Sequence, residues 1–451
     1  MNSDNDTIAA PSTPYGESAI AVVRASGPLV PGLLKRIFGR TPPPRRATHA
    51  EYRDRNGERV DDVVFCYFRK PASYTGEDVV EISTHGNPLI VQKITEDLLE
   101  RGCRPAGPGD FTRRAWLNGR MDLSQAEAVI DLIRARSDRA LAAANHQLRG
   151  ELGGRIEELT EELLGILAEI EAYIDFPEED LPPEGRGGPA GSIRKLVTKV
   201  DKLAATSHYG AILREGVGTI ILGAPNAGKS SLLNRMAGRE RAIVSETPGT
   251  TRDFLEERMH IGGYCIRLMD TAGLHETEDD IEKLGMEKTL EQADEADLFL
   301  VVLDATVPYP ALPDALAKRL NAGNTIVIYN KADLLQSEPR KQFLPDCAQV
   351  VLSALTGRGM DQLEKLLEGM LENEASGPEA DRVAVSARHA QALGAARDAL
   401  TAGLASLGKG HPPELAASEL RGALDALGEI VGRVDNEAML DKLFSAFCIG
   451  K

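Results

Sequence analysis

Gly223-Ala224-Pro225-Asn226-Ala227-Gly228-Lys229-Ser230-Ser231 follows directly on the apolar run Thr219-Ile220-Ile221-Leu222. A buried strand, a Gly-rich turn and a helix start in that order aim successive backbone N–H groups at one point, with the positive end of the helix dipole facing the same point. The arrangement holds a di- or triphosphate. Lys229 is placed to neutralise the β and γ oxygens, and the Ser230 hydroxyl is placed to sit on magnesium. A single loop of this kind is a weak signal, and it gains weight only from companion motifs at later strand ends.

Three such motifs occur in order. Asp270-Thr271-Ala272-Gly273 comes after Cys265-Ile266-Arg267-Leu268-Met269; the aspartate is expected to reach magnesium through water, and the glycine N–H to reach the γ-phosphate. Asn330-Lys331-Ala332-Asp333 comes after Thr325-Ile326-Val327-Ile328-Tyr329. A carboxylate there accepts two N–H bonds that guanine offers and adenine does not, so GTP is expected rather than ATP. Ser353-Ala354-Leu355 comes after Val350-Val351-Leu352, where a backbone N–H would meet the guanine carbonyl. Each motif stands at the carboxyl end of a strand-like run, where open α/β sheets bind ligands. Any one alone would be an ordinary polar turn; the four together read as a GTP-binding domain.

A chain of 451 residues is too long for one core, so two to four domains are expected. No apolar run approaches a membrane span, and Leu298-Phe299-Leu300-Val301-Val302-Leu303 reads as a buried strand. The polar, acidic Met1-Asn2-Ser3-Asp4-Asn5-Asp6 is unlike a secretory signal. Cys66, Cys103, Cys265, Cys347 and Cys448 are odd in number and widely spread. That argues for a reducing cytoplasm and against disulfides or a structural zinc. The net charge of −17 excludes a protein that coats nucleic acid by charge alone. Residues 1–121 hold 17 Lys+Arg against 15 Asp+Glu, a net of +2, so the remainder carries −19.

Residues 1–121 read as an α+β module, with strand-like Ser18–Val23, Val63–Phe68 and Val79–Ile82 punctuated by Pro42-Pro43-Pro44. Beyond Leu123 the texture becomes helical, over Ala126–Leu148, Leu152–Tyr173 and Ile193–Leu213, with an acidic Pro/Gly-rich loop over Asp175–Gly188. The GTP-binding domain is expected at 214–377, and helices resume over Ser386–Leu407, Pro413–Leu427 and Glu437–Phe447. The fold class expected is multidomain: an N-terminal α+β module (1–121), a helical bundle in two parts (122–213 and 378–451), and a P-loop α/β domain of Ras-like type inserted between them. Two separate helical domains are the alternative.

Within the GTP site, the residue after Gly273 is Leu274, where small regulatory GTPases place a water-positioning glutamine. A carboxylate of the acidic run His275–Glu282 is the candidate replacement, and spacing does not choose among them. Thr251, in Ser245-Glu246-Thr247-Pro248-Gly249-Thr250-Thr251-Arg252-Asp253, is the candidate second hydroxyl ligand to magnesium.

The terminal Phe447-Cys448-Ile449-Gly450-Lys451, the central GTP-binding domain and the run Gly249-Thr250-Thr251-Arg252-Asp253 together resemble the MnmE (TrmE) family of tRNA-modification GTPases. Thr7-Ile8-Ala9-Ala10, Tyr74-Thr75-Gly76-Glu77-Asp78, Pro108-Gly109-Asp110-Phe111-Thr112, Asp122–Ala128 and Ile174-Asp175-Phe176 extend the likeness over essentially the whole chain. The resemblance implies a TrmE/Era-type GTP-binding domain and a cytoplasmic homodimer joined through N-terminal modules. Those modules would bind a tetrahydrofolate one-carbon donor (5-formyl or 5,10-methylene). It also implies a FAD-containing partner, MnmG, with which an aminomethyl-type group is added to carbon five of the wobble uridine of certain tRNAs.

Carried over by residue, the resemblance places folate contacts on Arg24, Glu81, Arg120 and Lys451, with arginine at 120 where relatives usually have lysine. It places potassium on Asn226, Ser245, Thr247 and Thr250, the ion spreading transition-state charge where other GTPases use an arginine finger. The water-orienting carboxylate maps to Glu282. Cys448 is either an inert thiol or a catalytic one activated by nearby positive charge. The competing reading is a GTP-dependent ribosome-assembly or signalling switch with no modification chemistry. Such switches typically add a basic RNA-binding module, whereas the segment after residue 377 is acidic and helical.

Overall fold

A computed structural model describes residues 6–175, 188–239, 258–261, 263–269, 293–309, 313–336, 343–374, 383–408, 411–433 and 437–450. The chain divides into two compact units: residues 1–130, 153–157 and 425–451 form one, residues 131–152 and 158–424 the other.

The first unit is built on six strands, β1 (Ile8–Pro11), β2 (Ser18–Ser26), β3 (Thr48–Arg53), β4 (Arg59–Phe68), β5 (Val79–Gly86) and β6 (Arg104–Pro105), in the order β3-β4-β5-β2-β1-β6. All pairings are antiparallel except β1 with β6. Period-two alternation decides its faces: along β4, Val63, Phe65 and Tyr67 are buried while Val64 is exposed. The helices Val30–Phe38 and Pro88–Glu100 cover the apolar face with Val30, Leu33, Leu34, Ile94 and Leu98. Both carry proline in the first turn. The first stops at Gly39, φ 70°, in the left-handed region. The second is capped by Asn87, whose Oδ1 accepts from Leu89 N–H at 2.9 Å.

The second unit holds β7 (Val217–Leu222), β8 (Arg258–Ile261), β9 (Tyr264–Met269), β10 (Leu298–Asp304), β11 (Thr325–Asn330) and β12 (Ala348–Val351), in the order β12-β11-β10-β7-β9-β8. All are parallel except β8, which runs antiparallel to β9. Leu298 through Leu303 are buried without alternation, as expected of a parallel strand covered on both faces. Val217, Ile266, Leu300 and Ile328 pack into one core, and Ile220, Phe299, Val301 and Tyr329 into another. The helices Pro189–Ala204 and Ala387–Gly408, which flank this sheet in sequence, pack alongside each other.

Two helical runs are shorter than periodicity alone suggests. The expected helix over 126–148 is two helices, Leu123–Arg134 and Asp138–Leu148. Ser137 breaks it: its backbone is extended (φ −149°, ψ 157°) and its hydroxyl oxygen accepts from Ala140 N–H at 3.2 Å, an N-cap with Asp138 in the following first turn. The run over 193–213 divides into Pro189–Ala204 and Ser207–Glu215. At the break the Thr206 hydroxyl bonds the carbonyl oxygens of Leu203 and Val383, both at 2.8 Å. All five cysteines are free thiols. Among the described residues no helix is long and apolar enough to cross a membrane, and no cluster of side chains fits a metal ion.

Candidate functional site

β7 has β10 on one side and β9 on the other although the chain visits β9 first, so the sheet reverses its strand order at β7. Open α/β sheets bind ligands at such a reversal, beyond the carboxyl ends of their strands. The Gly-rich loop leaves β7 at that end. Gly223 (φ 153°) passes so close to β10 that a Cβ would lie 2.2 Å from the Val302 carbonyl oxygen. Gly228 (φ 95°) leaves no room either, since a Cβ there would lie 2.1 Å from Asn330 Nδ2. Asn226 adopts the left-handed region (φ 62°) and is exposed, with its amide free to turn toward a ligand in the loop. The helix Lys229–Arg239 follows, with Leu232 N–H bonded to the Gly228 carbonyl at 2.9 Å. Its first N–H groups are those of Lys229, Ser230 and Ser231. The Lys229 ammonium donates to the carbonyl oxygens of Gly223 (2.7 Å) and Ala224 (3.1 Å), and burial pulls it below the ordinary lysine value.

Asn330, at the end of β11, is almost fully buried and binds two loops at once. Its Nδ2 donates to the Ala227 carbonyl and its Oδ1 accepts from the Ala354 N–H, both at 2.9 Å. Its first structural task is therefore to tie the phosphate loop to the Ser353-Ala354-Leu355 turn. Lys331 stands in the left-handed region (φ 63°), and its ammonium meets Asp304 Oδ2 at 2.6 Å. Burial raises the Asp304 carboxyl, but bonds from Lys331 and Thr306 outweigh it and hold the group below the usual aspartate value. Asp333 lies exposed in the one-turn 3-10 helix Ala332–Leu334. Ser353 is buried, with its hydroxyl oxygen accepting from Thr356 N–H at 3.1 Å, and Leu355 is 75% exposed. Arg235 donates to the carbonyl oxygens of Ala354 (2.9 Å) and Leu355.

The structure thus gathers Asn226 through Ser231, Asn330, Lys331, Asp333 and Ser353–Leu355 at one edge of one sheet. Sequence reasoning missed Asp304 and Arg235. The first was visible only as the polar residue closing the run Leu298–Leu303, and the second carried no local signal. Ser245, Thr247, Thr250, Thr251, Asp270, Thr271, Ala272, Gly273, Glu282 and Lys451 lie outside the described residues.

A second constellation lies in the first unit. Arg24 on β2 stands opposite Glu81 on β5 in register, and its Nε and one terminal nitrogen both donate to Glu81 Oε1, at 3.0 and 2.7 Å. The guanidinium carbon lies 5.5 Å from the ring centroids of both Tyr74 and Phe111. The other terminal nitrogen donates to the Gly450 carbonyl at 3.2 Å, as does the Ser12 hydroxyl at the same distance. Ile449 bridges Pro108, and Gly109 N–H reaches the Cys448 carbonyl at 3.5 Å, so the residues before Lys451 are laid against β1, β2 and the 108–109 turn. Cys448 is exposed. Arg120 is exposed too, with its Cγ beside Gly76, where a Cβ would lie 3.3 Å away. Arg24, Glu81 and the C-terminal segment form one cluster, and Tyr74, Phe111 and Ser12 are members that sequence reasoning did not single out.

Residues 7–120 match the family model described as GTP-binding protein TrmE N-terminus, and residues 123–448 match that of the MnmE helical domain. A protein of Opitutus terrae named tRNA modification GTPase MnmE is 53% identical over 447 residues, 99% of each chain. One of the same name from Akkermansia muciniphila is 44% identical over 460 residues and covers 100% of each. Among solved structures, the G domain of the T. maritima FeoB iron transporter is 26% identical, covers 36% of this chain and 99% of that one, and has a TM-score of 0.24.

Proposed function

Because the chain belongs to the MnmE family of tRNA modification GTPases, we propose that it hydrolyses GTP as part of modifying the wobble uridine of certain tRNAs. One observation carries the nucleotide half: Asn330 holds the phosphate loop and the 353–355 turn against each other at the switch point of the sheet. The phosphates lie along the N–H groups of Ala227 through Ser231 and against Lys229, the cation that faces them. Asp333 accepts the two guanine N–H groups. The guanine carbonyl competes with Asn330 Oδ1 for the N–H of Ala354 or takes that of Leu355. Aspartate at 333 is then the source of base choice. Asp333→Asn is expected to weaken GTP about 100-fold or more, since the donors left facing the amide lose a charge-assisted pair, and to admit xanthosine triphosphate instead. Competition binding with the two nucleotides reads it, and equal loss for both would overturn the assignment.

Ser230 and Thr251 would hold magnesium, with Asp270 reaching it through water, and Thr271, Ala272 and Gly273 would complete the γ-phosphate side of the site. Asn226, Ser245, Thr247 and Thr250 would hold potassium. Ser230 at the helix start and Asn226 at its exposed left-handed position fit these ions. When bound, the ions supply counter-charge to the transferring phosphoryl group. Glu282 orients the attacking water. The Arg24–Glu81 pair, the aromatic rings of Tyr74 and Phe111 and the terminal segment fit a flat, polar-edged heterocycle, and Arg120 and Lys451 would hold the anionic tail of a tetrahydrofolate one-carbon donor. Cys448 is a candidate participant in the chemistry.

The remaining proposal is a cytoplasmic homodimer working with a FAD-containing partner of the MnmG kind. Its domains divide at 121, 213 and 377. The packing of Pro189–Ala204 along Ala387–Gly408 supports an inserted GTP-binding domain. So does Arg139, whose guanidinium carbon lies 4.5 Å from the Tyr264 ring centroid and which binds Glu372 at 3.0 Å; it links the helix Asp138–Leu148 to β9 and the helix Met360–Glu374.

The test is mass spectrometry of wobble nucleosides in tRNA from cells lacking this protein, rescued with the wild type, Lys229→Ala or Glu282→Ala. Loss of five-substituted uridine that only the wild type restores supports modification driven by GTP turnover. Unchanged nucleosides would leave a GTP-dependent assembly switch.

A further inference from the structure

Acidic residues outnumber basic ones by 17 in the whole chain, yet no Asp or Glu occurs between Glu17 and Glu51, nor between Asp62 and Glu77. The fold of the first unit gathers the cations of these two stretches apart from Arg24, which is paired with Glu81. The helix Val30–Phe38 ends in Lys35 and Arg36, and the Phe38 ring stacks on Phe65 of β4 with centroids 3.9 Å apart and planes within 4°. The loop that follows carries Arg40, Arg45 and Arg46 around Pro42-Pro43-Pro44. Arg45 N–H donates to the Tyr67 carbonyl at 2.7 Å and its guanidinium to the Ala72 carbonyl at 3.0 Å. Arg69 and Lys70 leave the end of β4 at the same place. Three segments therefore converge at the end of β4 and present seven exposed cations.

These cations are unneutralised, unlike most of the other arginines of the unit. Elsewhere in the unit Arg53 pairs with Glu51, Arg55 with Glu100, Arg59 with Asp62, Arg101 with Asp97, and Arg114 with Glu77. None of the seven forms an ion pair among the described residues. Asp78, the carboxylate set against this end of β4, is buried and spent on the Tyr67 hydroxyl (2.6 Å) and the Lys70 N–H (3.3 Å). A patch of this kind, in a protein that otherwise repels polyanions, fixes which face a polyanion meets. Its side chains are long and flexible, and its one aromatic, Phe38, is used up in the stack. The chemistry suits phosphates rather than base edges.

We propose that this patch binds the phosphodiester backbone of tRNA and positions the tRNA on the first unit. The proposal rests on the tRNA-modification reading given above. Neutralising four cations with no structural bond in the fold, by Lys35→Gln, Arg40→Gln, Arg46→Gln and Lys70→Gln together, is expected to lower tRNA affinity. The slope of log affinity against log salt should also fall by about 3, at roughly 0.7–0.9 per phosphate contact. Fluorescence anisotropy of the full-length protein with an unmodified tRNA transcript, between 50 and 200 mM KCl, reads both. GTP hydrolysis should not change.

The control is Lys195→Gln with Lys202→Gln, exposed cations of the other unit, which should leave the slope where it was. An unchanged slope in the fourfold variant, an equal fall in the control, or no measurable tRNA binding by the wild type overturns the proposal. So does tighter retention on vesicles of anionic phospholipid than on tRNA, which would make the patch a membrane contact. Wobble-nucleoside analysis of the same variants separates the two failures. Normal modification by the fourfold variant with unchanged tRNA affinity removes the patch but keeps the function, whereas unaltered nucleosides in cells lacking the protein remove the function itself.

Discussion

Lys229→Ala is expected to cut GTP hydrolysis by at least about 1,000-fold in kcat/KM, which corresponds to about 4 kcal/mol of lost transition-state stabilisation. The ammonium is the cation placed at the start of the Lys229–Arg239 helix, held over the loop by the carbonyl oxygens of Gly223 and Ala224. It is partly desolvated, as its lowered pKa reflects, so its attraction for phosphate is screened less than that of a surface lysine. Alanine removes the charge without disturbing β7 or the glycines that shape the turn. Folate binding and the circular dichroism spectrum should therefore match the wild type. Steady-state phosphate release gives the number. A fall of less than tenfold would mean that the loop holds something other than the transferring phosphate.

The second large effect is expected at the opposite end of the chain. Gly450 has φ 93°, and a Cβ there would lie 2.2 Å from the Pro11 carbonyl oxygen and 2.8 Å from Ser12 Cα. Both obstacles are backbone, so neither yields cheaply. A β-branched residue adds strain of about 1–2 kcal/mol for the left-handed backbone alone. Gly450→Val should lift the terminal segment off β1, break the bonds from Ser12 and Arg24 to the Gly450 carbonyl, and free Arg24 from one of its anchors. Affinity for 5-formyltetrahydrofolate is expected to drop at least about 10-fold, the loss of one or two charge-assisted hydrogen bonds. Basal GTP hydrolysis should stay as it was. Deleting residues 449–451 should do the same. Titration calorimetry with the folate separates the outcomes, and unchanged affinity in both variants would remove the terminal segment from the site.

The described part of the candidate nucleotide site was legible in the sequence because its geometry is local. Gly223 and Gly228 must accept backbone positions closed to other residues, Lys229 must start a helix, and each motif must follow an apolar strand, so spacing alone records them. The Asn330 bridge and the Lys331–Asp304 pair join strand ends to loops far away in sequence, and no spacing rule reports such a pair. The helix break at Ser137 left a trace, a capping serine followed by Asp138, which the continuing Ala/Leu periodicity concealed. The cluster around Arg24 was legible only through resemblance to a family, since Arg24 and Gly450 are 426 residues apart and periodicity carries no information over that distance.

That separation sets a timetable for synthesis. The carbonyl that Ser12 and Arg24 bind belongs to a residue translated more than 420 positions later. At about 5–20 residues per second the ribosome takes roughly 20 to 90 seconds to supply it. Through that interval the nascent sheet of β1 to β6 waits with the flank destined for residues 448–450 uncovered, while the second unit emerges and folds behind it. The first unit to leave the ribosome is thus the last to be finished, and a stalled or prematurely released chain carries a sheet that is paired but unsealed.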